Sequence, residues 1–264
     1  MLDIQNTKGD FKYKISKVGV SNVIYPVTLK NKKGIAVFTV GNISMSVSLE
    51  RDLKGANMSR LPILLSEFGE NTLEIEDIKK DIKILLLAMV KKMESRDGYF
   101  EMEFDFFLKK KAPISAAEGI LPYKCKINGS LHLNSSDEYD FILSVEVPVT
   151  TLCPCSKAIS QYSAHNQRGY VQVSLRYNGL MFIEDIIELV ESSASCDIYP
   201  ILKRTDEKYV TEKAYENPRF VEDMVRLVAE KLDEDHRVSW FEISSRHLES
   251  IHAHDAFASI EINK

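Results

Sequence analysis

Cys153-Pro154-Cys155, followed in the same segment by His165, is the densest group of chemistry-bearing side chains in the sequence. Thiolate and imidazole are donors that a zinc-type cation prefers, and three protein ligands plus water make a catalytic rather than a structural site. The spacing matches no standard zinc finger. A pair of buried thiols beside a hydrogen-bonded histidine is therefore equally open at this point. Lys157 follows Cys155 closely, and a nearby cation favours thiolate, so covalent catalysis is a second chemistry the segment permits. Otherwise Lys157 is a solvated surface charge. A second group lies in Leu202–Lys213, with Glu207 and Glu212. Its charge run reads as a solvated loop. Glu222 falls beside Val221 and Val225 in an apolar stripe, where a carboxylate is costly unless paired. Arg226, four residues on, offers a helical ion pair. The third group, Arg246–Asp255, holds His247, His252 and His254, three of the six histidines. Histidine suits proton transfer or metal ligation near neutral pH. In an extended chain His252 and His254 point the same way. A polar loop at a strand end is the alternative reading.

Elements that could carry these groups are legible from periodicity. Phe11–Leu29 and Gly34–Leu49 alternate as strands, with a turn at Asn31–Gly34. Ser59–Phe68 is a short helix. A longer one starts at Asn71 or Thr72, runs to about Glu94 on Ile75, Ile78, Ile82, Leu85, Leu86, Met89 and Val90, and ends at Asp97-Gly98. Tyr99–Leu108 is a strand with Phe100, Met102, Phe104 and Phe106 on one face. Leu121–Leu133 and Glu138–Thr150 are strands joined by a polar turn at Asn134–Asp137. The cysteine- and histidine-bearing loop follows, then a strand at Gly169–Tyr177 and a helix at Phe182–Ser192. A second helix spans Pro218–Asp233, with Pro218 in its first turn. Val238–Ser245 and Ala256–Ile262 close the chain as strands. Each half thus reads strands, helices, strands, which predicts an α+β fold of antiparallel sheet with helices packed on one face. The halves meet near Lys111-Ala112-Pro113, giving modules 1–112 and 113–264.

Composition narrows the function classes. The 264 residues carry 34 Lys+Arg against 39 Asp+Glu, a formal charge of -5, which argues against a nucleic-acid binder. No apolar run approaches the length of a membrane span. The N-terminal stretch has no secretory h-region, so a cytoplasmic protein is expected. Four cysteines in a chain of this length predict free thiols rather than a disulfide framework.

Leu152-Cys-Pro-Cys-Ser-Lys157 followed by Ala164-His-Asn-Gln-Arg168 resembles the signature of the type IB GTP cyclohydrolase family. The likeness continues through Lys54-Gly55, Met58-Ser59-Arg60, Leu202-Lys-Arg-Thr-Asp-Glu207, Asn217-Pro-Arg-Phe-Val-Glu-Asp223 and Ser250-Ile-His-Ala-His-Asp255. Several motifs in the right order make the match specific. The resemblance implies two tandem tunnelling-fold modules, with antiparallel sheets and helix pairs on one face. It also implies a homotetramer with active sites at subunit interfaces. The activity implied is conversion of GTP and water to 7,8-dihydroneopterin triphosphate and formate, the first step of folate-type pterin synthesis. One divalent metal, Zn, Mn or Fe, is implied per site, with Cys153, His165 and Glu207 resembling its ligands. Glu222 resembles the carboxylate that anchors guanine. His252 and His254 resemble the catalytic histidines, and Cys153 is counted with them. Lys54, Ser59, Arg60, Lys157 and Arg168 are candidates for the triphosphate. One departure is visible: Asn57 stands where the family motif has histidine, and asparagine can hydrogen-bond but cannot carry a proton charge.

The residues suit that chemistry independently of the likeness. Opening a purine imidazole ring needs hydroxide at C8, which a bound divalent metal makes available near neutral pH. Protonating the ring nitrogen needs an acid such as His252 or His254. Two other functions compete. One is a nitrile reductase of the same broad fold, which attacks a deazaguanine nitrile with cysteine and uses NADPH. The other is a non-catalytic metal- or pterin-binding regulator.

Overall fold

The structure is a computed structural model describing residues 5, 7–69, 71–133 and 138–264. The turn expected at Asn134–Asp137 lies outside the described residues. Two compact units emerge: residues 1–105 with 126–143, and residues 106–125 with 144–264.

In the first unit, β1 (Ile15–Lys30) and β2 (Ala36–Leu49) form an antiparallel hairpin. Its turn is set by Gly34 at φ 72 and by Asn31, whose side chain accepts the N–H groups of Lys33 and Ile35. Helix α1 (Arg60–Glu67) packs on α2 (Ile78–Met93). Helix α2 starts later than its periodicity suggests. Leu73–Ile75 is instead a short strand, β3, parallel to Val27–Leu29 of β1. Asp77 is the N-cap and accepts the Lys80 N–H, while Asp81 reaches back to the N–H groups of Glu76 and Asp77. The helix ends at Glu94 in the left-handed region, and Asp97-Gly98 already begins β4 (Asp97–Lys111). Ile82, Leu86 and Met89 of α2, and Phe100 and Met102 of β4, are fully buried. Each such side chain contributes about 1.5–3 kcal/mol on burial.

In the second unit the sheet order is β10-β9-β7-β6-β5-β4, with β8 (Cys196–Asp197) pairing β6. The strands are β5 (Glu118–His132), β6 (Glu138–Leu152), β7 (Asn166–Tyr177), β9 (Val238–His247) and β10 (Ala256–Asn263); β4, β5 and β6 contribute residues to both units. Helix α4 (Ile183–Glu191) meets α6 (Val221–Glu234), which lies across β9 and β10. Two segments differ from the sequence reading. Leu202–Lys213 is not a solvated loop: Arg204–Glu216 is helix α5. It buries only Asp206 and Ala214, so it has no apolar stripe to betray it. Helix α6 starts at Val221 rather than Pro218, because the Asp223 carboxylate accepts the Phe220 N–H and fixes the end there.

Ten strands and six helices among the described residues make an α+β protein with a large, mostly antiparallel sheet. Among the described residues no helix is long and apolar enough to cross a membrane.

Candidate active site

One end of the second unit gathers most of the reactive side chains. Strand β6 ends at Leu152, and Cys153 then caps a short helix, α3 (Pro154–Ile159), its Sγ accepting the Ser156 N–H at 3.4 Å. Cys153 N–H donates to the His165 carbonyl at 3.1 Å. Ser156 Oγ accepts the His165 N–H at 3.2 Å. The two residues named from the motif are therefore tied together through their backbones. The Arg219 N–H donates to the Leu152 carbonyl at 3.0 Å, which brings the start of α6 to the same place. From the far side, the Leu248 N–H donates to the Arg168 carbonyl at 2.9 Å and docks the β9–β10 loop on β7.

These elements enclose a cavity of about 370 Å³. Cys153, Cys155, His165, Glu222, Glu249, His252 and His254 line it, together with Gln167, Arg219 and His247. Cys153 and His165 are half-buried, Cys155 is exposed, and all four cysteines are free thiols. His165 Nδ1 lies 2.9 Å from Gln167 Oε1, 3.3 Å from Ser250 Oγ and 3.9 Å from Glu249 Oε2. Acceptors on Nδ1 fix the ring and leave Nε2 as the donor atom, an arrangement usual for a metal-ligating histidine. The loop carrying His252 and His254 is turned rather than extended, yet the two rings stack with centroids 5.1 Å apart. Glu222, second residue of α6, is exposed and faces the cavity rather than sitting on the buried stripe. Among the described residues no ion pair joins it to Arg226.

The remaining predicted residues lie elsewhere. Glu207 is exposed on α5 and does not line the cavity. Among the described residues no three His, Cys, Asp or Glu side chains stand ready as a metal-binding group. Its neighbour Asp206 is fully buried and accepts from the Ile114, Ser115 and Lys203 N–H groups and from Ser115 Oγ. Burial pushes its carboxyl up, but these hydrogen bonds outweigh it and hold the group well below the usual carboxylate range. Lys157 donates to the Tyr215 carbonyl and lies over its ring at 4.3 Å. Arg168 faces a different cavity of about 320 Å³, with Asn166, Asp197 and Tyr199. Lys54, Ser59 and Arg60 belong to the first unit. There Arg60 lines a cavity of about 340 Å³ with Asn57 and donates to the Lys92 carbonyl at 3.1 Å.

Sequence reasoning missed Gln167 and Thr151, and left His247 without a role. Gln167 Nε2 donates to Thr151 Oγ1 at 3.1 Å, and Thr151 Oγ1 lies 3.3 Å from His247 Nδ1. Gln167 could have been found: it stands two residues after His165, which directly precedes β7, and in extended chain such side chains share a face. His247 is buried, which pushes its pKa down to about 4 against the opposing pull of the Glu222 carboxylate.

With this geometry in place, similarity to known proteins decides the family. A family model described as type I GTP cyclohydrolase folE2 matches residues 1–258. The chain belongs to the type I GTP cyclohydrolase FolE2 family. Its relatives include GTP cyclohydrolase FolE2 of Magnetococcus marinus, 43% identical over 259 residues, 98% of this chain and 95% of that one. The FolE2 of Syntrophobacter fumaroxidans is 40% identical over 264 residues, with both chains covered in full. Among solved structures the chain is similar to urate oxidase of Bacillus sp. TB-90, with a TM-score of 0.58 at 9% identity, covering 95% of this chain and 100% of that one. That likeness concerns the fold alone. The FolE2 motifs supply Cys153, His165, Glu222, His252 and His254 to a single cavity, although they are scattered over a hundred positions of sequence.

Proposed function

We infer that this chain carries out the reaction its family is named for, the hydrolytic opening of the GTP purine ring to give 7,8-dihydroneopterin triphosphate and formate. The chain is a GTP cyclohydrolase. The observation that carries the assignment of its site is the convergence of Glu222, His252, His254, Cys153 and His165 on one cavity.

The roles follow from the side chains. The Glu222 carboxylate accepts the guanine N1–H and exocyclic N2–H together, which orients the base and puts its imidazole ring toward the histidines. His252 and His254 move protons to and from the ring nitrogens as the C8 bonds break, work for which an imidazole's two nitrogens are suited. Their stacking lets one ring support the other's orientation. Cys153 and His165 offer soft and borderline donors on the wall of one cavity, and their donor types fit a divalent cation of the Zn, Mn or Fe type. Glu207 of α5, which does not line this cavity, is the third donor that the family motif implies. Such a metal supplies hydroxide at neutral pH by lowering the pKa of bound water. Lys54, Ser59, Arg60, Lys157 and Arg168 are proposed for the triphosphate.

Two tandem tunnelling-fold modules, 1–112 and 113–264, assembled as a cytoplasmic homotetramer with sites between subunits, complete the proposal. Assembly is supported by exposed apolar side chains on the β1–β2 hairpin, among them Ile24, Phe38 and Val40, and by β10, which among the described residues pairs only with β9. Open edges of this kind need covering. Light scattering should give a tetramer; an active monomer would contradict it. The reaction itself is tested by incubating purified protein with GTP and a divalent metal. Formate and the fluorescence of oxidised neopterin should appear together, and metal binding without either product would favour a regulator instead.

A further inference from the structure

His247 ends β9, is 1% exposed as a residue, and lines the same cavity as Glu222. Its Nδ1 is tied to Thr151, but its buried Nε2 has no hydrogen-bond partner among the described residues. Buried polar atoms are nearly always paired, so an unpaired one on a cavity wall points to a ligand atom. A chain of three hydrogen bonds leads to its Nδ1. Gln167 turns Oε1 to His165 Nδ1 and its NH2 to Thr151 Oγ1. Thr151 Oγ1 accepts from Gln167, and its own proton is free to go to His247 Nδ1. With Nδ1 an acceptor, the single proton of the neutral ring sits on Nε2. Gly169, directly opposite on β7, makes room for the ring: a Cβ there would lie 3.1 Å from His247 Cδ2.

We propose that His247 reads the base: its Nε2–H donates to the carbonyl oxygen at C6 of the guanine whose N1–H and N2–H are held by Glu222. A donor beside a two-fold acceptor is the complement of guanine's O6, N1–H and N2–H edge. Adenine, with an amino group at C6 and a bare N1, mismatches both groups. The chain from His165 through Gln167 and Thr151 acts only by positioning: it keeps the proton on the atom that faces the base. The proposal rests on the reading of Glu222 as the guanine carboxylate.

The test compares GTP with 6-thio-GTP, which keeps N1–H and N2–H but replaces the C6 oxygen with a poor acceptor. Formate release by the metal-loaded, full-length protein gives kcat and KM for each. Wild type should prefer GTP by about tenfold, mainly in KM, the size of one hydrogen bond in a desolvated site. His247→Leu should lose about tenfold on GTP and little on 6-thio-GTP, so the preference collapses. His247→Gln, which keeps an N–H donor, should recover part of it. Equal losses on both substrates would overturn the proposal, since a merely structural ring, or one sharing a water with the buried Ser245 hydroxyl, would not distinguish them. Histidine-selective 15N NMR reads the tautomer without turnover; a proton on Nδ1 rather than Nε2 would also overturn it. If the guanine assignment itself is wrong, Glu222→Ala leaves KM for GTP unchanged, a result that removes the proposal together with the reading beneath it.

Discussion

His247 should make the protein acid-labile in a definite window. Its ordinary pKa of 6.5 falls to about 4 in the native state, because burial disfavours the charged ring more than Glu222 favours it. As pH drops below 6.5 the unfolded chain takes up a proton that the native chain refuses until about pH 4. Stability from this group is therefore fully present above 6.5, declines between 6.5 and 4, and is flat below. A span of this size corresponds to about 3 kcal/mol, at 1.36 kcal/mol per pKa unit. Other groups titrate in the same range, so the informative quantity is a difference. Urea unfolding of wild type and His247→Gln should be followed from pH 7.5 to 4, at one protein concentration and with chelator present to remove metal linkage. The gap between the two proteins should shift in favour of the variant by about 3 kcal/mol across the window. Parallel curves would refute the argument, showing that His247 is reached by solvent or already charged in the native state.

Cys153→Ala and His165→Ala should each lose bound metal and activity while retaining circular dichroism, whereas Cys155→Ala should keep measurable metal; elemental analysis of the purified variants decides this. Glu207→Ala should lose metal but still bind GTP, and Glu222→Ala should keep metal and lose GTP affinity by about 10- to 100-fold, because guanine donors are left unpaired. Equilibrium binding with wild type should rank GTP above ITP, which keeps only N1–H, and ITP above ATP, which has neither donor. Asp206→Ala should lower Tm by several degrees, since it leaves the Ile114, Ser115 and Lys203 N–H groups without their shared acceptor; calorimetry would show it, and an unchanged Tm would mean that water replaces the carboxylate.

Legibility in the sequence tracked apolar pattern. The strands with Phe100–Phe106 and the helices carrying Ile82–Val90 and Met224–Leu232 advertise a buried face, and they fold where periodicity places them. Helix α5 does not, because it buries only Ala214 and Asp206, the latter a charged residue whose burial depends on backbone donors ninety positions away. The start of α2 differs for a related reason: Ile75 has helical spacing to Ile78 and Ile82, but pairing with β1 draws Leu73–Ile75 into the sheet. At the site, residue type and motif order named Cys153, His165, Glu222, His252 and His254, all of which meet at one cavity. The Gln167–Thr151–His247 chain was out of reach, since it joins β6, β7 and β9 through registers that sequence does not state. Glu222 was placed on the buried stripe because helix phase alone cannot tell the second residue of a helix, open to the cavity, from one packed inward.

The most direct measurement follows GTP carrying 13C at C8 by NMR with metal-loaded wild type and Glu222→Ala at the same GTP concentration, held below KM. Wild type should convert the label quantitatively to formate, one per pterin formed, and Glu222→Ala should do so at least tenfold more slowly. Label retained in a purine, or released as fast by Glu222→Ala as by wild type, would contradict ring opening at this cavity.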